Sequence, residues 1–296
     1  MSRLSITAKD GTRLHMELHG QPIDEAPALI MNDGIGCDGF IWKYLLPALK
    51  NDFSIVRWHY RGHGLSDCAS NMERYRIRDN VDDLEAVLDA AEVESAVMLG
   101  HSMGVQVSLE SALCLPDRVN GLVLMCGSYG RPLDTFRNIN NPAAARATMP
   151  VIKGLVSRYG KQWQKLAQRL MPTQLGWMVA QLLEVDGRML RREDFLPYLK
   201  HLAAMDPEIF VAMLQDAGEH TTEDRLAEIS VPTLILSGEK DRFTPSWVSE
   251  VMEERIPCSE LHMIRGGTHT APLEQSDLTI LLIQDWLRRN LGQNGA

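Results

Sequence analysis

The stretch Ala96-Val97-Met98-Leu99-Gly100-His101-Ser102-Met103-Gly104 decides how this chain is read. Four apolar residues end in a glycine, as in a short strand buried on both faces. Gly100-x-Ser102-x-Gly104 follows at once, and helical spacing runs on to about Leu113. A G-x-S-x-G placed between a strand and a helix is a sharp turn that holds its serine hydroxyl exposed. A serine hydroxyl is a poor nucleophile unless it is so presented and a base takes its proton. The pattern predicts Ser102 as a nucleophile.

Working outward, the same rhythm recurs on both sides. Leu14 to Leu18 alternates polar and apolar residues as a half-exposed strand does. Ala28 to Met31 is a short apolar run and Phe53 to Trp58 another short strand, separated by helical spacing from Phe40 to Leu49. Tyr75 to Ala91 places Val81, Leu84, Val87 and Leu88 on one helical face, and Gly121 to Cys126 is a further strand. Strands alternating with helices predict an α/β fold: a mostly parallel, doubly wound sheet with helices on both faces. Right-handed crossovers gather the loops after the strands along one sheet edge, where ligands bind in such folds.

The alternation stops after Gly130. Between 131 and 225 we expect no strand but four or five short helices, rich in Met, Trp, Leu and Phe and punctuated by Pro142, Pro150, Pro172, Pro197 and Pro207. It then resumes with a strand at Thr233 to Ser237, a helix at Val248 to Arg255, a strand at Glu260 to Ile264 and an amphipathic helix from Leu278 to Leu291. The expected organisation is a core of residues 1–130 and 226–296, with residues 131–225 inserted as a helical cap.

The loops after the last two strands carry the partners that Ser102 needs. His269, in Gly266-Gly267-Thr268-His269, is placed to take the serine proton and return it to a leaving group. Asp241, in Gly238-Glu239-Lys240-Asp241, precedes it by 28 residues, room for one helix and one strand. A carboxylate there fixes the histidine tautomer and stabilises the imidazolium. Glu239 is the alternative acid. The order Ser, Asp, His is the one expected of a strand–turn–helix hydrolase fold of this kind.

These motifs, with Tyr60-Arg61-Gly62-His63-Gly64-Leu65-Ser66 and Asn32-Asp33-Gly34-Ile35-Gly36, resemble the α/β-hydrolase superfamily. The similarity is to its lidded branch of esterases, cofactor-free perhydrolases and carbon–carbon bond hydrolases, and it covers both halves of the core but not the inserted segment. The resemblance implies an oxyanion hole made by the backbone N–H groups of Ile35 and Met103, and a structural role for the Arg61-Gly62-His63-Gly64 turn. Two positions depart from the family pattern. Asp33 stands where histidine is usual, and His59 where aspartate is usual.

Composition bounds the rest. The chain has 296 residues and a formal net charge of −9, which argues against nucleic acid, since phosphate binding needs a basic footprint, and gives no help toward anionic membranes. Five scattered cysteines, Cys37, Cys68, Cys114, Cys126 and Cys258, contain no C-x-x-C pair, so neither a zinc site nor a dithiol motif is suggested. Free thiols, the absence of a signal-like N-terminus and the lack of a membrane-length apolar run make a cytoplasmic location the expectation. No cofactor and no metal are implied.

The expected activity is hydrolysis of a small to medium apolar carboxylic ester through an acyl-enzyme. The alternative keeps the same three residues for carbon–carbon, lactone, thioester or amide hydrolysis, perhydrolysis or acyl transfer. A ligand receptor on a hydrolase scaffold is a third class, which the complete set of Ser102, Asp241 and His269 disfavours. A serine at position 102 disfavours the epoxide hydrolases and haloalkane dehalogenases, which use aspartate there.

Overall fold

The computed structural model describes residues 2–135, 142–183 and 185–291. Eight strands form one sheet: β1 Ser2–Thr7, β2 Arg13–Gly20, β3 Ala28–Asn32, β4 Ser54–Trp58, β5 Ala96–His101, β6 Val119–Met125, β7 Thr233–Gly238 and β8 Ser259–Ile264. Their order is β1-β2-β4-β3-β5-β6-β7-β8. From β4 through β8 every neighbouring pair is parallel, whereas β2 runs antiparallel to both β1 and β4.

The central strands are buried on both faces, and their period of two sorts side chains into two cores. Ile30, Val56, Met98, Leu122 and Leu124 face one side. There they meet α2 (Ile77–Ala90), α3 (Met103–Cys114) and α9 (Ser246–Arg255), through Leu84, Val107 and Met252 among others. Leu29, Met31, Val97, Leu99, Val123 and Leu236 face the other side. They pack with α1 (Leu45–Leu49) and α11 (Ser276–Leu291), through Leu49, Ile283 and Trp286. The short α10 (Ala271–Glu274) precedes α11.

Among the described residues, five α-helices lie between β6 and β7: α4 (Pro132–Thr135), α5 (Pro142–Leu170), α6 (Gln174–Leu183), α7 (Arg192–Ala204) and α8 (Pro207–Glu219). The two ends of this insertion are tied together at the sheet edge. Gly130 pairs with Thr221 in an antiparallel bridge, and the Thr222 N–H donates to the Tyr129 carbonyl at 2.9 Å.

Three details differ from the sequence reading. Strand β1 was not expected, because its residues are nearly all exposed and leave no burial pattern in the sequence. The 40–49 helix is split into a 3₁₀ turn, Phe40–Trp42, and α1. The inserted helices are not all short: α5 has 29 residues and carries Pro150 inside it, and Pro197 lies inside α7. Proline marks a helix start at Pro207, where the Asp206 side chain caps the Glu208 N–H at 2.8 Å and a missing N–H costs nothing. Inside α5 and α7 one lost backbone bond is outweighed by the packing of the remaining turns.

Candidate functional site

The strand order reverses between β3 and β5, since β4 lies on one side of β3 and β5 on the other. In open α/β sheets ligands bind at such a switch point, outside the carboxyl ends of the strands. The loop after β3 and the turn after β5 meet there. A Cβ built on Gly34 would stand 3.1 Å from the Ser102 Cβ, which measures how close the two segments run.

Ser102 connects β5 to α3 with φ 57° and ψ −119°, outside the region L-residues favour. This conformation needs a close fit on the far side. A Cβ at Gly104 would lie 2.0 Å from the Asn32 carbonyl oxygen, so only glycine lets α3 start against the end of β3. Met103 is the first residue of α3, so its N–H has no intrahelical acceptor and points out at the positive end of the helix.

The structure brings the three sequence-predicted side chains into one chain of contacts. His269 Nε2 lies 2.9 Å from Ser102 Oγ, and His269 Nδ1 lies 2.9 Å from Asp241 Oδ2. The Asp241 carboxylate is fully occupied. Its Oδ1 accepts the N–H groups of Phe243 at 2.8 Å and Thr244 at 2.9 Å, and its Oδ2 also accepts the Thr244 hydroxyl at 2.8 Å. Glu239, the alternative acid, points elsewhere: its Oε2 accepts the Gly266 N–H at 2.7 Å and fixes the turn before His269.

Several supporting residues were not foreseen. Glu274 is buried beneath the His269 loop and accepts the Thr268 N–H at 2.8 Å and hydroxyls from Thr268 and Thr270 at 2.7 and 3.0 Å. His101 Nε2 donates to the His269 carbonyl at 2.9 Å. Burial and the neighbouring His269 push the His101 pKa down to about 3, so it is neutral and acts as a fixed strut. Phe243 packs its ring 5.0 Å from that of His269. Nothing in the local sequence marks His101, because its partner lies 168 residues away in the chain.

The loop carrying Ile35 is held from the Arg61-Gly62-His63-Gly64 turn. His63 Nε2 accepts the Gly36 N–H at 2.9 Å, and its Nδ1–H donates to the Arg61 carbonyl at 3.2 Å. Burial lowers the His63 pKa to about 4, which keeps Nε2 free of a proton and able to accept. Arg61 in turn is locked by Asp83 through two bonds of 2.8 and 2.6 Å and by Asp10 at 2.8 Å. The turn is thus a brace, and every donor of Arg61 that it uses goes to this protein's own groups.

The two departures have structural accounts. His59 accepts the Leu65 N–H at 2.9 Å, while its carbonyl accepts the Ser66 hydroxyl at 2.7 Å. Burial first, then Arg57, lowers its pKa to about 3, so it is a neutral clamp on the turn. Asp33 is buried, with Oδ1 accepting the Trp42 indole N–H and Oδ2 making no hydrogen bond. Burial outweighs the nearby Arg57 and pushes the Asp33 carboxyl up to about 7. A folded pKa above the unfolded value means that stability is full at low pH and is lost as pH rises through about 4 to about 7. Asp33→Asn removes this loss and keeps the acceptor for Trp42. We expect the variant to melt roughly 5 °C above wild type at pH 8 and level with it near pH 4. A melting difference that does not change with pH would refute this account of Asp33.

A family model described as alpha/beta hydrolase fold matches residues 27–276. The chain belongs to the α/β-hydrolase family. Among its relatives is a Stutzerimonas stutzeri protein provisionally named carbamate hydrolase RutD, 26% identical over 284 residues that span 96% of this chain and all of that protein. The 3-oxoadipate enol-lactonase 1 of Acinetobacter baylyi is 24% identical, covering 96% of this hydrolase and 97% of the lactonase. A thermophilic esterase from Thermogutta terrifontis superposes with a TM-score of 0.74 at 22% identity, covering 98% of this hydrolase and 99% of the esterase. These three similarities span different scissile bonds, so the family is shared and the substrate is not specified by them.

Proposed function

We propose that this hydrolase cleaves a small to medium apolar carboxylic ester through an acyl-enzyme, with Ser102 as nucleophile, His269 as general base and acid, and Asp241 as the group that orients the imidazole. The observation that supports this most is the Ser102–His269–Asp241 relay, with both links at 2.9 Å. Asp241 accepts the Nδ1–H of His269, which leaves Nε2 free to accept the serine proton. Ser102 Oγ then attacks the ester carbonyl carbon. The oxyanion that develops is received by the N–H groups of Ile35 and Met103. Collapse of this intermediate breaks the carbon–oxygen bond, and the imidazolium returns its proton to the leaving alcohol. Water, deprotonated by His269, attacks the acyl-enzyme, and the acid leaves as Ser102 regains its proton.

The inserted helices supply the reason to favour an apolar substrate, and we read them as a cap over the site. A Cβ at Gly36 would stand 2.8 Å from Leu202 Cδ1, 3.6 Å from the Phe210 ring and 3.8 Å from the Tyr198 ring. Side chains of α7 and α8 therefore close over the loop beside Ser102 with apolar surface. Tyr198 continues into an aromatic cluster with Phe40 and Phe195, whose ring centroids lie 5.0 to 5.8 Å apart.

A p-nitrophenyl ester series from acetate to palmitate, run beside fluorophosphonate labelling, tests the proposal. Hydrolysis that requires Ser102 and peaks at one acyl length is the expected result, and the peak reads the depth of the apolar pocket. Protein that takes up fluorophosphonate yet cleaves no ester would overturn the ester assignment in favour of another scissile bond, such as that of a lactone, thioester, amide or carbon–carbon substrate. A folded protein that takes up no label would overturn the enzyme reading altogether.

A further inference from the structure

The insertion has a charge distribution opposite to that of the whole chain. From Thr135 to Leu183 there is no aspartate or glutamate, while Arg137, Arg146, Lys153, Arg158, Lys161, Lys165 and Arg169 are all cationic, in a chain whose net charge is −9. Helix α5 presents this imbalance in an ordered way. With about 100° of rotation per residue, three faces separate along its length. One face packs on the rest of the insertion through Met149 and Val156, which join Val211, and through Gln164, whose side-chain amide donates to the Ala204 and Met205 carbonyls at 2.8 and 2.9 Å. A second face holds Arg158, Lys161, Lys165 and Arg169 within an arc of about 80°, all exposed.

Between these two faces runs an apolar stripe of Ile152, Leu155, Tyr159, Trp163, Leu166 and Leu170, every one exposed. Trp163 is 45% exposed and Leu166 54%. The next helix in the chain, α6, is uncharged and also exposes apolar side chains, Leu182 reaching 77% exposure. Apolar surface on this scale, unlike scattered single residues, marks a contact surface. A helix with a packed face, an apolar stripe and a cationic flank has the composition that lies in the plane of an anionic lipid surface. No helix among the described residues is long and apolar enough to cross a membrane, so the fit is to lying on the surface.

We propose that the exposed face of α5 is a docking surface for an anionic lipid–water interface. The cations decide the occupant. A second copy of this chain meeting the same patch across a two-fold axis would bring Arg158, Lys161, Lys165 and Arg169, which show no ion pair among the described residues, against their own equivalents. Lipid phosphates neutralise those charges, while Trp163 and its neighbours enter the headgroup–acyl boundary. This assignment does not depend on which bond the Ser102 site cleaves.

Co-sedimentation of the full chain with vesicles tests it, comparing equal parts phosphatidylglycerol and phosphatidylcholine with phosphatidylcholine alone. The expected result is binding to the anionic vesicles at least about tenfold stronger than to the neutral ones and weakened by salt. Lys161→Glu with Lys165→Glu, and separately Leu166→Asp, should each lower that binding about tenfold or more. Because these side chains are exposed, both variants should keep the wild-type melting temperature. Absence of binding to the anionic vesicles, equal binding to both compositions, or indifference to both variants would overturn the proposal. So would a dimer in sedimentation velocity that Leu166→Asp dissociates, since the stripe would then be an interface between copies.

Discussion

Ser102→Ala is expected to lower kcat by about 10⁶-fold and to abolish fluorophosphonate labelling, with little change in melting temperature. The size of the effect follows from what the side chain does. In the proposed chemistry Ser102 Oγ forms the bond to the acyl carbon, and it is the hydroxyl 2.9 Å from His269 Nε2. The small stability effect follows from what the backbone does. Its φ of 57° is imposed by the fit of α3 against β3 and is the same strain for alanine as for serine. The deleted oxygen makes one hydrogen bond, to His269, and the residue is half-buried, so no buried polar group is left stranded. Steady-state kinetics with labelling in parallel provide the check, and more than a trace of esterase activity in the variant would place the nucleophile elsewhere.

Asp241→Asn should be nearly as damaging to rate, by about 10⁴-fold in kcat, and again nearly silent in stability. The direction of the new amide is dictated by its surroundings. Oδ1 of Asp241 accepts two backbone N–H groups, from Phe243 and Thr244, so the asparagine oxygen must keep that position. Its NH₂ then occupies the site of Oδ2 and faces His269 Nδ1, which can only answer as an acceptor. The proton moves to Nε2, the imidazole points a donor at Ser102, and the base is lost while the packing survives. The Thr244 hydroxyl can rotate to accept from the same NH₂. Glu239→Gln provides the contrast. Its oxygen can still accept the Gly266 N–H, so kcat should change by less than about tenfold. Measured rates in the reverse order would assign the acid to Glu239.

The supporting shell explains why these two effects are expected to be so large and so purely kinetic. Glu274, His101 and Phe243 hold the His269 loop from three sides, and His63 holds the loop of Ile35. Removing one reacting group therefore leaves the rest of the constellation in place. A site whose geometry is fixed by buried neighbours loses chemistry without losing structure.

The sequence by itself determined the parts of this protein that are written in short spacings. A buried apolar run, Gly100-x-Ser102-x-Gly104 and helical periodicity are local signals, and they specified a strand, a sharp turn and a helix at the positions where these lie. The chain order of Ser102, Asp241 and His269, each after a strand, likewise pointed to loops that a parallel sheet collects on one edge. Tertiary structure alone decided what depends on residues far apart in the chain. It set the directions of Asp241, the acid expected from the sequence, and of Glu239 in the same loop, one toward His269 and the other toward the Gly266 N–H. It turned His63 and His101 into struts, since they act on partners 27 and 168 residues away. It also added the exposed edge strand β1, whose pairing with β2 comes from backbone hydrogen bonds and leaves almost no mark in side-chain pattern. Most of all it sorted the apolar residues of α5, some into contact with α8 and others onto the outer stripe beside the lysines. Periodicity can place a residue on a helix, but which face of that helix meets protein and which meets its surroundings is set by the neighbours the fold supplies.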